Sequence, residues 1–436
     1  MVKGLAVSIR RFLAAVALVV LAVPLSAHQP PPIEQQIVTS IDARREAAVE
    51  LLARSVNIQS ATENRAGVKQ LADFYAAELA PLGFKTSWVD LQSVGRAGHF
   101  LAEHPGTKGT RVLIIGHLDT VLQGEAFRRD GRRGYGSGSS DMKSGNAIVI
   151  EALRALHAAG QLTDRQVIVV FTGDEEDTGK PYETSRATLV DAARRSDVAL
   201  AFEGYEPGTA VVGRRGFSSW TLEVTGSQGH SSTIFGDERG SGAIFEAARI
   251  LNAFQAELRE PYLTFNPSVL VGGTEVKYDA KTFTGTATGK TNVVPRSVIV
   301  EGDMRFLTRD QLEKARAKMR TIVAANLPKT SATITFVDGM PSMAPTDGNR
   351  ALLATLDKVS RDLGTGPITA HDPSKRGAGD ISFVATLVSG LDGLGGLGAQ
   401  EHAPGEYTDL DEMTVLTKRA ALLLNRVLST ARPMGR

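Results

Sequence analysis

The chain has 436 residues, of which 42% are hydrophobic and 22% charged, with 49 Lys and Arg against 48 Asp and Glu and no cysteine. That length and apolar content are enough for two domains with separate cores. The balanced charge offers no basic face to nucleic acid or anionic lipid, and the missing cysteines exclude a disulfide framework, a thiolate metal site and a lipid-modified N-terminal cysteine.

In chain order, the first feature is a basic stretch, MVKGLAVSIRR, then the apolar FLAAVALVVLAVPL, then PLSAHQPPP with small residues and prolines. This is the order of a secretory signal, and the apolar part falls short of the ~18 residues that span a bilayer. We expect residues 1–27 to be removed on export, leaving a periplasmic or secreted protein with no membrane segment. Losing Lys3, Arg10 and Arg11 leaves 46 basic residues against 48 acidic ones, a net of −2. Exported material beginning at Met1 would contradict this reading.

From about residue 33 to 213, helix-like stretches (ARREAAVELLARS, KQLADFYAAELAPLG, GNAIVIEALRALHAAG) alternate with short apolar runs. That alternation predicts an α/β domain with a doubly wound, mostly parallel sheet. In the helix after Asp141, Ile148, Val149, Ala152, Leu153 and Leu156 form one face, and Gly160 suits its C-terminal cap. After VVGRRG the pattern changes. FSSWTLEVTG, a helix, SVLVGGTEV, SVIVEGDMRF, a second helix and ATITFVDG give βαββαβ, the order of a ferredoxin-like unit, over 214–338. Thr308 and Gln311 have capping-box spacing at the second helix start. The chain then returns over 339–436 to complete the first domain.

Several apolar runs end on a residue that can hold a metal. RVLIIGHLDT reaches His117 and Asp119, VIVVFTGDEE reaches Glu175 and Glu176, and VALAFEG reaches Glu203; the Gly-rich LDGLGGLGAQEH reaches His402. Ligands of open α/β sheets gather at the carboxyl ends of such strands. Asp141 lies in GSGSSDMKSG, just before a helix. A site for two divalent ions needs a bridging carboxylate, further ligands on each ion and a general base. His117 and Glu203 could hold one ion, Glu176 and His402 the other, with Asp141 bridging. Oxygen and imidazole donors favour two zinc ions per subunit, with cobalt or manganese as alternatives. Asp119, on the same strand face as His117, can accept the second ring N–H of that histidine, and Glu175 is placed to move a proton between water and leaving amine. Taken alone, GDEE is most often a solvated turn, HLD a capped strand end and EHAPGEY a surface loop. Their convergence is harder to dismiss, because buried carboxylates are costly without partners.

Two glycine-rich motifs do not qualify. GTATGKT has one residue too few for a phosphate-binding P-loop and leads into a strand, and GYGSGSS does not follow a strand as a dinucleotide fingerprint must.

GHLDT, SSDMKSG, GDEE, AFEG and HAPGEY together resemble the co-catalytic zinc metallopeptidase family of glutamate carboxypeptidase, acetylornithine deacetylase, succinyl-diaminopimelate desuccinylase and the aminoacylases. The pattern is nearest to glutamate carboxypeptidase. The resemblance covers nearly all of the chain after residue 27 and implies ligands His117, Asp141, Glu176, Glu203 and His402, base Glu175, and Asp119 orienting His117. In the inserted domain GSQGHSS, TNVVP and DMRF stand where the family has substrate-binding residues, which implies that role for His230, Asn292 and Arg305; Arg376 in KRGAGD is a further candidate. The family commonly forms homodimers through this domain, with the histidine reaching the partner's active site. Ser144, the DEEDTGK loop and GAGD depart from the family pattern and bear on substrate choice.

These readings lead to an exported di-zinc hydrolase. It would cleave an amide bond next to a free carboxylate, in a small peptide or N-acyl amino acid, through metal-bound hydroxide and Glu175. The alternatives are an aminopeptidase or dipeptidase on the same site, or a binding protein that has lost catalysis.

Overall fold

The computed structural model describes residues 31–432. The export signal expected over 1–27 lies outside the described residues. Among those described, no helix is long and apolar enough to cross a membrane.

Among the described residues, two main sheets are built from β1 (Lys85–Asp90), β2 (Gly98–His104), β3 (Lys108–His117), β4 (Arg165–Thr172), β5 (Val198–Ala201), β6 (Gly216–Gly226), β7 (Thr264–Gly273), β8 (Ser297–Phe306), β9 (Thr330–Asp338) and β10 (Ser389–Leu391). The longer helices among the described residues are α1 (Pro32–Ala43), α2 (Arg45–Asn57), α3 (Arg65–Leu79), α4 (Ser144–Ala158), α5 (Ala187–Arg194), α6 (Gly242–Glu257), α7 (Arg309–Ala324), α8 (Asp347–Asp362) and α9 (Leu410–Ser429).

The larger sheet runs β1-β2-β4-β3-β5-β10. Its β4, β3, β5 and β10 are parallel, and β1 and β2 add an antiparallel edge. Side chains alternate between the two faces of a strand. Val112, Ile114, Val167, Val169, Phe171 and Leu200 therefore meet the helices of one layer, whereas Leu113, Ile115, Ile168, Val170, Ala199 and Ala201 meet Leu189 and Ala192 of α5 together with Ile381 and Val384 on the other. Both faces are covered, which is why these strands read as nearly continuous apolar runs. The helix α4 is buried almost all round, and Gly160 beyond its end takes φ +70°, the left-handed conformation of a C-terminal cap. Since β4 and β5 lie on opposite sides of β3, the winding reverses at β3. This switch point opens a crevice at the carboxyl ends of three adjacent strands.

The second sheet, β7-β8-β6-β9, is antiparallel throughout and is the ferredoxin-like unit, with α6 and α7 packed on it. Its core of Trp220, Leu222, Val224, Ile250, Phe254, Leu312 and Met319 is separate from that of the larger sheet. Thr308 caps α7 by accepting the Gln311 N–H at 3.1 Å, while the Gln311 side chain accepts the N–H of Leu307. Between β7 and β8 the chain adds a hairpin, Glu275–Asp279 with Thr284–Thr288, which the sequence pattern does not announce. Only its first strand alternates, with Val276 and Tyr278 half-buried between exposed neighbours, while its second strand, TGTAT, is exposed throughout and carries no large apolar residue.

Candidate metal centre

The crevice at the switch point receives His117 from the last position of β3, Glu175 and Glu176 from the turn after β4, and Glu203 from just beyond β5. Asp141 enters from the Ser139–Lys143 turn that leads into α4, and His402 from the loop before α9. Local packing fixes each of these segments. The carbonyl of His117 accepts the side-chain amide of Asn146 at 2.7 Å, and a fully buried Arg186 lies beneath the Glu175 turn. That guanidinium donates to Asp174 at 2.5 Å and Asp380 at 2.7 Å, and Asp380 in turn accepts the hydroxyl of Thr172 at the end of β4.

Asp141 is the centre of the arrangement. Its Oδ1 lies 3.0 Å from His117 Nε2 and its Oδ2 lies 3.1 Å from His402 Nε2. Glu203 Oε1 lies 3.8 Å from the same nitrogen of His117, and Glu176 Oε2 lies 3.2 Å from that of His402. Two three-residue groups result, His117–Asp141–Glu203 and Asp141–Glu176–His402, each with donor atoms within 4.8 Å of one another. The donors are imidazole nitrogens and carboxylate oxygens, a set suited to zinc or a similar divalent cation. Buried Glu176 Oε1 has no hydrogen-bond partner among the described residues, so it keeps lone pairs free for a cation. The residues present fit a pair of metal ions sharing one carboxylate.

The electrostatics have the same character. Burial, and then Asp141, push Glu176 up to about 8, and burial also pushes Glu203 up to about 8. Burial and the Glu203 charge hold the Glu175 carboxyl well above its ordinary range. Burial works against the charged His117 ring, yet Glu203, Asp119 and Asp141 raise it well above the usual histidine value. The bond to Asp141 raises His402 to about 9, and the two histidines hold Asp141 well below the usual carboxylate range against the effect of its burial. The cluster has an excess of negative charge that cations would relieve.

Asp119 differs in one detail from the expected arrangement. His117 Nδ1 lies 2.9 Å from the backbone carbonyl of Asp119 and 3.6 Å from its carboxylate. The carboxylate is otherwise engaged: it accepts the N–H groups of Glu175 at 3.0 Å and Glu176 at 3.1 Å, and the Thr62 hydroxyl at 2.7 Å. The carbonyl thus favours the tautomer that leaves Nε2 free to ligate, and the carboxylate braces the base turn.

The remaining candidates lie farther out. Arg376 donates to the carbonyl of Gly204 at 2.6 Å, at the rim of a cleft of about 720 Å³ that also borders Glu206, His371 and Glu401. Arg305, Asn292 and His230 stay in the inserted domain with no hydrogen bond or ion pair to the cluster. Arg305 pairs with Asp303 at 3.0 Å and stacks over Phe217, and His230 pairs with Ser232 at 2.8 Å beside the strand of Val293. Sequence reasoning missed Arg186, Asp174, Asp380 and buried Arg214, whose guanidinium pairs with Asp392. Each is polar and in a loop or at an element's edge, and only its distant partner marks it as interior.

Among known proteins, residues 113–426 match the profile of Peptidase family M20/M25/M40. Carboxypeptidase G2 of Pseudomonas sp. (strain RS-16) is 24% identical over 391 residues, covering 87% of this chain and 88% of that one. Succinyl-diaminopimelate desuccinylase of Dechloromonas aromatica is 26% identical, covering 88% and 99%. In fold, the chain is similar to aminopeptidase PepT from Bacillus cereus, with TM-score 0.68, 18% identity and coverage of 88% and 98%. It is likewise similar to a dinuclear metal-binding M20 peptidase from Bacillus subtilis, with TM-score 0.60, 16% identity and coverage of 89% and 99%. A match over most of the length, together with two histidines and three carboxylates gathered at the carboxyl end of one sheet, means that this chain belongs to peptidase family M20/M25/M40 and is a hydrolase of that family.

Proposed function

We propose that the protein hydrolyses an amide bond adjacent to a free carboxylate, in a small peptide or an N-acyl amino acid, using two divalent cations held by His117, Asp141, Glu176, Glu203 and His402, with zinc as the expected ion. The observation that carries this reading is Asp141, whose two oxygens each face the Nε2 of a different histidine. Bound by these residues, such cations would lower the pKa of a water and polarise a substrate carbonyl. Glu175 takes the proton from the attacking water and returns it to the leaving amine nitrogen. Its raised proton affinity suits both halves of that cycle. Arg305 supplies a forked cation for the substrate carboxylate, and its guanidinium carbon lies 5.1 Å from the centre of the Phe217 ring. Asn292 and Arg376 are proposed as further substrate contacts.

Replacing Glu175 with Gln should leave two ions bound, because it is not among the proposed ligands, yet lower kcat by about 10²- to 10⁴-fold, the usual contribution of general acid–base catalysis. Retention of turnover with intact metal content would remove Glu175 from the mechanism.

Arg305→Leu should raise KM for substrates with a free carboxylate by about 10-fold or more while changing amidated analogues little, as loss of a bidentate charged contact predicts. An equal effect on both would exclude Arg305 as the anchor. Glu206 and Glu401 at the cleft would attract an ammonium, which gives the dipeptidase reading its support. Acetylating the substrate's amino end in the same comparison separates the two.

Cations must displace protons from Glu176 and Glu203, raised to about 8, and from His402, raised to about 9. The ligating forms are the deprotonated ones, so affinity should rise with pH through 8 and level off above 9. Calorimetry in buffers of different ionisation enthalpy should detect proton release at pH 7 that shrinks towards pH 9.5. Affinity independent of pH over that span would contradict the ligand assignment.

A second copy of the chain is the proposed partner of the inserted domain. Phe235 (68% exposed) and Phe245 (53% exposed) pack with tilted rings whose centres are 5.6 Å apart, and Ile244 and Leu270 of the same domain are exposed too. Sedimentation should find a dimer that Phe245→Lys dissociates with loss of turnover, since His230 would no longer reach a neighbouring site. A dissociated variant with full activity would deny His230 that role.

A further inference from the structure

The loop that carries His402 and the turn that carries Asp141 are joined by one buried side chain, Glu406. Only 5% of this residue is exposed. Its Oε2 accepts the N–H of Gly138 at 2.7 Å, and its Oε1 accepts the N–H groups of Ser140 at 2.8 Å and Asp141 at 2.9 Å. The Glu406 backbone carbonyl also accepts the N–H of Gly136 at 3.0 Å. Three N–H groups converge on the carboxylate because Gly138 takes φ +75°, where a Cβ would come within 2.3 Å of the Thr120 methyl. On the other side, Gly405 donates to Glu125 at 3.0 Å, so the short His402 loop is tied at both of its last residues.

We propose that Glu406 is a positioning residue: it sets the distance between Asp141 and His402 and so fixes the shared carboxylate and the second metal position. This rests on the assignment of Asp141 as the bridging ligand. Charge-assisted bonds from backbone N–H groups are about twice as strong as neutral ones. They hold the main chain at Asp141 itself, the point from which its two carboxylate oxygens face the two histidines. Glutamine cannot replace the carboxylate here. Whichever way its amide is turned, an NH₂ group meets at least one backbone N–H, donor against donor.

The test compares wild type, Glu406→Gln and Asp141→Asn after removal of metal, with zinc titrated calorimetrically and folding followed by circular dichroism. Folded E406Q should bind the ion held by Glu176 and His402 about 10- to 100-fold more weakly, the usual cost of losing an outer-shell partner, with the ion at His117 and Glu203 much less affected. At saturating zinc, kcat should fall while KM stays within a few-fold of wild type. Two ions bound by E406Q with wild-type affinity, while D141N loses them, would overturn the role of Glu406 alone. Wild-type binding by D141N would overturn the bridging assignment instead. Should E406Q fail to fold, amide hydrogen exchange in the metal-free wild type decides: protection at Gly138, Ser140 and Asp141 supports the clamp, and free exchange at these amides overturns it.

Discussion

Six ionisable side chains share one small volume at the end of a parallel sheet, and four of them are acids. Their mutual repulsion and loss of solvent are the constraint to which the surrounding structure responds. Burial disfavours every carboxylate charge, and so Glu175, Glu176 and Glu203 are all raised. Asp141 escapes because two imidazoles face it. Nearby, acids that are not proposed ligands are satisfied by backbone N–H groups or by arginine: Asp119 by the Glu175 turn, Glu406 by the Asp141 turn, and Asp174 and Asp380 by Arg186. By contrast, the proposed ligand Glu176 leaves Oε1 without a hydrogen-bond partner among the described residues.

Much of this was legible in the sequence for a simple reason. A strand buried on both faces must be apolar until it emerges, so the first polar residue after RVLIIG, VIVVF or VALAF marks the point of emergence. His117 and Glu203 are found that way, whereas after VIVVF the first polar residue is Thr172, and Glu175 and Glu176 follow Asp174 in the same turn. The inserted unit was legible because half-buried strands alternate, as FSSWTLEVTG does, and the capping pair Thr308 and Gln311 marked a helix start that the structure reproduces.

The supporting shell was not legible, because its partners are far apart in the chain. Arg186 and Asp380 are separated by 194 positions, and Glu406 and Asp141 by 265. In sequence each looks like a charged residue of a surface loop, and burial of such groups becomes visible only when the partner arrives. The role of the Asp119 carbonyl was hidden for a different reason: a backbone group leaves no trace in residue type. In the hairpin over 275–288 the first strand alternates over only five residues and the second, TGTAT, is exposed throughout, which leaves no paired apolar pattern to read.

The position of Arg305, Asn292 and His230 on a separate core has a mechanical consequence. The two chain crossings that join the sheets pair with each other: Arg214 and Met343 exchange backbone hydrogen bonds at 2.9 Å, the N–H of Phe217 reaches the carbonyl of Met340, and that of Gly339 reaches the carbonyl of Phe217. Two paired strands form a single ribbon, so a shift of the inserted domain relative to the metal cluster must bend or twist that ribbon. Arg214 also belongs to the other side. Its guanidinium is buried against Asp392 and the carbonyl of Gly377, and its charge acts on Glu203. One residue therefore anchors the ribbon to the floor of the crevice next to a proposed ligand. The ligand set is fixed by strand ends and buried acids on one body, while the candidate substrate contacts on the other can change position, or change in sequence, without disturbing it.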